Sequence, residues 1–336
     1  MRSEFKLILK SVLINKTEED VNEISNLLEQ DNDWFLIGGV LLNHRLSGYF
    51  YNGLTAEQKS KLPKEFGKML EFIVNAQREK MEGMVELVNE ATEALNKANV
   101  RYSGLKGILF NADFYNFSDR RSNDIDFLVF EDDLDKMDKA LREVGYVQSF
   151  AENGELVEAS RKEKVIQRMN YHDLVPYVKK NKDSIFMLDI NFKFDSTLHE
   201  IDDRVFEYGT VMYDKNGLNV KGLKFYTHLM FLCVHFYREA TNAIWKKENR
   251  DFTLYKLVDL YNCLRAHISE FDANEWCDLV KSFDTTKHCL FSFNALKEFY
   301  DDELFDSIID NLSSATKLDE NEERQFFDVV FNGFKQ

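Results

Sequence analysis

Proline is almost missing from this chain. The 336 residues hold 2 prolines and 14 glycines, so few positions force a helix to end. Cysteine is scarce too, and Cys233, Cys263, Cys277 and Cys289 form neither a C-x-x-C pair nor a Cys/His cluster. That pattern excludes a zinc ribbon and is expected of reduced, buried thiols in the cytoplasm. Positive charge is in deficit: 43 Lys and Arg stand against 59 Asp and Glu, a net charge of -16. Nonspecific nucleic-acid binding needs the opposite balance. The apolar runs, such as "FLIGGVLL", are far too short to span a bilayer. The opening "MRSEFKLILKSVLINKTEED" breaks its apolar stretch with lysines and offers no small-residue cleavage site. The expectation is a cytoplasmic protein with no membrane partner.

Hydrophobic residues are plentiful, at 44%, with 29 phenylalanines, so a large core can be buried in two or three packed units. Residues 1–99 show apolar positions three and four apart, as in "KEFGKMLEFIVNAQREKMEGMVELVNEATEALNKANV", and read as helical. Residues 100–222 mix strands and helices. "VRYSGLKG" is a short strand entering a turn, "ILFNADFY" a helix, "DIDFLVF" a strand, and "EDDLDKMDKALREVGY" an amphipathic helix stopped at Gly145. "KVIQRMNYHDLVPYVKK" and "SIFMLDINFKF" read as two strands joined by "NKD". Residues 223–336 read as helical again, with Asp272 and Glu275 placed to cap one helix.

In "DIDFLVF", Asp124 and Asp126 stand two apart, so on a strand they share a face. Paired carboxylates repel, and a divalent cation relieves that repulsion. In "SIFMLDINFKF" the apolar Phe186, Leu188, Ile190, Phe192 and Phe194 alternate with Asp189, Asn191 and Lys193. With the two strands adjacent, Asp189 faces the same side as Asp124 and Asp126. Three carboxylates make a hard-oxygen site suited to magnesium or manganese that reaches substrate phosphates. The alternative is an acidic pair on an exposed edge that needs no ligand. "GLKG", Gly104 to Gly107, sits at a strand-to-helix turn where backbone amides can meet a phosphate and Lys106 adds a point charge. Arg120 and Arg121, just ahead of the acidic strand, either hold a triphosphate or pair with surface acids.

The run from "GLKGILFNADFY" through "DRRSNDIDFLVF" to the helix ending in Gly145-Tyr146 resembles the uncharacterised nucleotidyltransferase family of bacteria. "LDINF", "FLCVHFYRE", "LYKLVDL" and the leading "DWFLIGGVLLNHRLSGYFYNGL" extend the resemblance over nearly the whole chain. It implies an α+β fold: a nucleotidyltransferase-type mixed sheet flanked by N-terminal helices and a C-terminal helical bundle. It also implies that Asp124, Asp126 and Asp189 are the metal-binding, catalytic carboxylates. Lys106 and Gly107 would form the phosphate turn, with Arg120, His235, Lys256 and Asp259 lining the nucleotide site. Two positions depart from the pattern. Ile108 follows Gly107 where the wider superfamily has Ser, and Asn191 stands where the family shows His. His235 lies in an apolar helix, where a satisfied core histidine is the commoner case, and His172, in "RMNYHDLV", is equally ambiguous.

The function this implies is Mg²⁺-dependent transfer of a nucleoside monophosphate from a nucleoside triphosphate, ATP among them. The acceptor would be a small molecule, a protein or a tRNA end. The rival reading is a nucleotide- or ligand-binding module that kept the fold without turnover.

Overall fold

The computed structural model describes residues 1–122, 124–152, 155–181, 184–195, 198, 201–247, 252–319, 322 and 325–332. Packing divides the chain into two units. One comprises Met1–Arg78, Ser118–Arg121 and Leu229–Gln336; the other comprises Glu79–Phe117 and Ser122–His228. Among the described residues, no helix is long and apolar enough to cross a membrane.

The second unit is built on an eight-stranded mixed sheet. Its strands are β1 (Tyr102–Leu105), β2 (Ile125–Val129), β3 (Val147–Glu152), β4 (Glu155–Glu158), β5 (Tyr177–Asn181), β6 (Ser184–Asn191), β7 (Thr210–Lys215) and β8 (Leu218–Leu223). Their spatial order is β4-β3-β5-β6-β2-β1-β8-β7. The β2–β6 and β1–β8 pairs are parallel and the rest antiparallel.

Alternation decides which face is buried. Ile125, Phe127 and Val129 of β2 join Phe186, Leu188 and Ile190 of β6 in one core, against Met84, Val88, Ala91 and Leu95 of the helix Lys64–Lys97. The opposite parity leaves Asp126 and Asp189 on the other face. This burial fixes the register, because a slip of either strand by one residue would carry its carboxylate into the core.

One segment differs from the sequence expectation. "KVIQRMN" belongs to a helix, Arg161–Asn170, rather than a strand. The helix starts at a capping box in which Ser160 and Glu163 satisfy each other's backbone amides. The strand begins only at Tyr177. Of the expected "NKD" turn, residues 182 and 183 lie outside the described residues. The hairpin of β7 and β8 turns at Asn216 and Gly217, with φ of 57° and 76°. Two positive φ values in succession make the tight turn whose twist matches the strands.

The first unit is helical. It includes Trp34–Asn43, the start of Lys64–Lys97, Tyr255–Ala266, Ala273–Ser282 and Thr286–Lys297. The side chain of Asp272 caps Ala273–Ser282 by accepting from the amides of Asn274 and Glu275.

Candidate active site

Asp126 and Asp189 are register partners on the parallel strands β2 and β6. Directly opposed residues of neighbouring strands project to the same face. Asp126 is buried and Asp189 half-buried, while Asp124 lies exposed just before β2. The burial of Asp189, and then the charges of Asp126 and Asp124, push its carboxyl up to about 7, although Lys106 pulls the other way. Asp126 and Asp124 are therefore close enough to Asp189 to oppose its ionisation.

Leu105 pairs with Asp126 across β1 and β2, so the residue after Leu105 begins at the level of the acids. That residue is Lys106. Its Nζ donates to Asp126 Oδ1 at 2.9 Å. Lys106 opens the helix Lys106–Asp113 with φ of 49°, a left-handed backbone rarely taken by lysine. No side chain caps this helix start. Its first amides and its ammonium group thus sit at one end of the acidic strand. Gly107 is buried within the helix. Gly104 answers a packing demand: a Cβ there would lie 2.7 Å from Val220 Cγ1. Asn191 is buried and donates to the Phe127 carbonyl at 3.3 Å, tying β6 to β2.

The remaining candidates belong to the helical unit. Arg120 is buried, and its Nε donates to Asp259 Oδ2 at 2.7 Å. Burial opposes the charge on Arg120, but Asp259 outweighs it and holds the guanidinium charged. Tyr49 donates its hydroxyl to the other Asp259 oxygen at 2.7 Å. Lys256 is ion-paired with Glu239, and His235 Nδ1 lies 3.7 Å from that same residue. Arg121 is exposed. The structure thus brings Lys106, Asp124, Asp126 and Asp189 together in the sheet unit. Arg120 and Asp259 form one pair in the helical unit, and Lys256 and His235 meet at Glu239.

The profile of the family described as "Uncharacterised nucleotidyltransferase" matches residues 30–301. The chain belongs to that family. It is also similar to a solved structure, an antigenic nucleotidyltransferase-like protein from Paracoccidioides brasiliensis. Identity is 12% and the TM-score 0.33, with 62% of this chain and 94% of that chain covered. No curated protein matches the chain.

Whether these side chains suit a divalent cation can be judged from their donor atoms. Among the described residues, no three His, Cys, Asp or Glu side chains are already gathered as a metal-holding group. Yet the donors are hard carboxylate oxygens, three carboxylates beside the single ammonium of Lys106, and burial and then the neighbouring acids disfavour the charge on Asp189. The residues fit such an ion in charge and in chemistry.

Sequence reading missed Asp173. It forms a backbone bridge to Asn191 and adds to the field that raises Asp189. Gln167 Nε2 donates to Asp173 Oδ1 at 2.8 Å, fixing it from the helix Arg161–Asn170. The only signal was "HDL" shortly before the acidic strand. Glu239 and Tyr49 were missed as well, although both lie in quoted runs, "FLCVHFYRE" and "DWFLIGGVLLNHRLSGYFYNGL", because nothing local marks their distant partners.

Proposed function

We propose that this nucleotidyltransferase-family protein transfers a nucleoside monophosphate from a triphosphate to an acceptor hydroxyl, with release of pyrophosphate. The observation that supports this most is the in-register pair Asp126 and Asp189, with Lys106 bonded to the first. Asp124, Asp126 and Asp189 would hold a magnesium or manganese ion, which when bound offsets the charge of the triphosphate.

The chain's own groups do the rest. Lys106 and the first amides of helix Lys106–Asp113 position phosphate oxygens at the end of β2. The acceptor oxygen attacks the α-phosphorus, and the bond from that phosphorus to the bridging oxygen breaks. Pyrophosphate takes that bond's electron pair, and the acceptor's proton passes to the Asp189 carboxylate. The excess of acidic residues favours a small-molecule or protein acceptor over a long polynucleotide.

A second reading, nucleotide binding without turnover, draws on two features. Ile108 follows Gly107 and supplies no hydroxyl, and Lys106 already neutralises Asp126. One experiment separates the two. The protein is incubated with Mg²⁺ and each α-labelled triphosphate, against metabolites, tRNA and cell protein. Transfer predicts a labelled adduct and pyrophosphate, both absent in Asp126→Asn. Metal-dependent triphosphate binding with no adduct selects the second reading, and an adduct that persists in Asp126→Asn removes the assigned site.

A further inference from the structure

We propose that the exposed side of helix Arg161–Asn170 docks on a second copy of this chain, against the face that carries Phe35 and Phe72. The inference is independent of the catalytic reading.

The helix is turned inside out. Val165, Ile166 and Met169 are 48%, 46% and 79% exposed, and no residue of the helix is buried. Its polar residues are the ones turned to the protein. Gln167 bonds Asp173 at 2.8 Å, and Lys164 pairs with Glu158 at 3.3 Å. At 3.6 residues per turn, Lys162, Val165, Ile166 and Met169 fall in one sector of about 100°. An apolar stripe of that width normally faces a core or a partner. Tyr171, just past the helix, is 56% exposed. Among the described residues, Arg161 and Lys162 form no ion pair, so this side offers free positive charge beside its apolar groups.

The helical unit carries the matching surface. Phe35 is 95% exposed, and Leu42, seven residues on along the helix Trp34–Asn43, is 55% exposed. Met69 and Phe72 of the neighbouring helix are 37% and 75% exposed. The two helices are held side by side where the Trp34 and Phe66 rings meet at 5.2 Å and Gly38 admits Phe66. Single exposed apolar residues are ordinary, but four large ones on packed helices mark an interaction surface. Exposed Asp31 and Asp33 flank Phe35 and supply the charge that Arg161 and Lys162 lack.

One chain therefore presents both halves of a contact, basic and apolar on one side, acidic and apolar on the other. RNA would use the cations and leave Val165, Ile166 and Met169 in water. An anionic bilayer would use the cations but leave the acidic, apolar face around Asp31, Asp33 and Phe35 without a partner. Because the two surfaces differ, the contact is heterologous, and copies join head to tail, as rings or as open chains.

Sedimentation velocity over a concentration series tests this on the full chain. The wild type is expected to associate, and Ile166→Glu/Met169→Glu and Phe35→Lys/Phe72→Lys are each expected to sediment as single chains. An equimolar mixture of the two variants should form a heterodimer, since one intact helix then meets one intact face. That recovery also shows that both variants are folded. A wild type that stays a single chain, variants that stay associated, or a mixture that does not pair each overturns the proposal. So does wild-type binding to RNA or to phosphatidylserine vesicles that Ile166→Glu/Met169→Glu abolishes while self-association is unchanged.

Discussion

Asp189 lies directly across from Asp126 on the next parallel strand, where burial and then the charge of Asp126 disfavour its ionised form. The two are not equivalent. Asp126 has the ammonium group of Lys106 at 2.9 Å, whereas Asp189 carries the burden of burial and repulsion.

The asymmetry predicts opposite effects on stability. Asp189→Asn removes a disfavoured buried charge and should raise the melting temperature. Asp126→Asn strands Lys106 beside a neutral amide and should cost about 1–3 kcal/mol. Both should depress nucleotide transfer, by roughly 10²- to 10⁴-fold for Asp189→Asn if that carboxylate takes the acceptor's proton. Thermal melting with the label-transfer assay reads both quantities. An Asp189→Asn protein that melts lower would show that the repulsion is already compensated.

Lys106 combines an unusual backbone with a charge, and two substitutions separate them. Its φ of 49° costs a non-glycine residue about 1 kcal/mol. Lys106→Gly should therefore be more stable than Lys106→Ala, as measured by urea unfolding. Both should lose triphosphate affinity to a similar degree, about 10-fold or more, because both remove the ammonium. Unequal affinity loss would mean that the backbone turn, rather than the charge, holds the phosphates.

How much of this was legible depended on whether the signal was local. The alternation in "SIFMLDINFKF" implied which residues of β6 face the core and which side Asp189 takes. "KVIQRMN" misled, because Val165, Ile166 and Met169 suggest a buried strand, while the helix start was written in Ser160 and Glu163. Their exposure is what the sequence could not show. The Asn216-Gly217 turn carried a strong hairpin signal that went unused. By contrast, the bonds from Asp259 to Arg120 and Tyr49 join residues 139 and 210 apart in the chain, beyond the reach of any periodicity.

That pairing makes a prediction about the helical unit. Removing one partner of a buried ion pair leaves a charge without compensation, so Asp259→Ala should cost about 3–5 kcal/mol in urea unfolding. The double variant Arg120→Met/Asp259→Leu should recover much of the loss, since no buried charge then remains. A double variant as unstable as Asp259→Ala would place the cost in lost packing around Tyr49 instead.

His44 predicts a pH dependence in the same unit. It is 3% exposed, and its Nδ1 accepts from the Leu254 amide at 3.3 Å. Burial pushes its pKa down to about 4, against a weaker opposing backbone bond at Val330. In the unfolded chain histidine titrates near ~6.5. Between the two values the unfolded state binds more protons, so stability rises with pH across that window. The contribution is complete above about 6.5 and is lost as pH falls toward ~4, with an upper size of about 3 kcal/mol. Hydrogen exchange at the Leu254 amide should accordingly lose protection as pH falls through the window, beyond the intrinsic pH dependence of exchange. His44→Gln keeps a side-chain acceptor without a titrating ring and should flatten that loss. An unchanged slope in His44→Gln would assign the acid sensitivity to other groups.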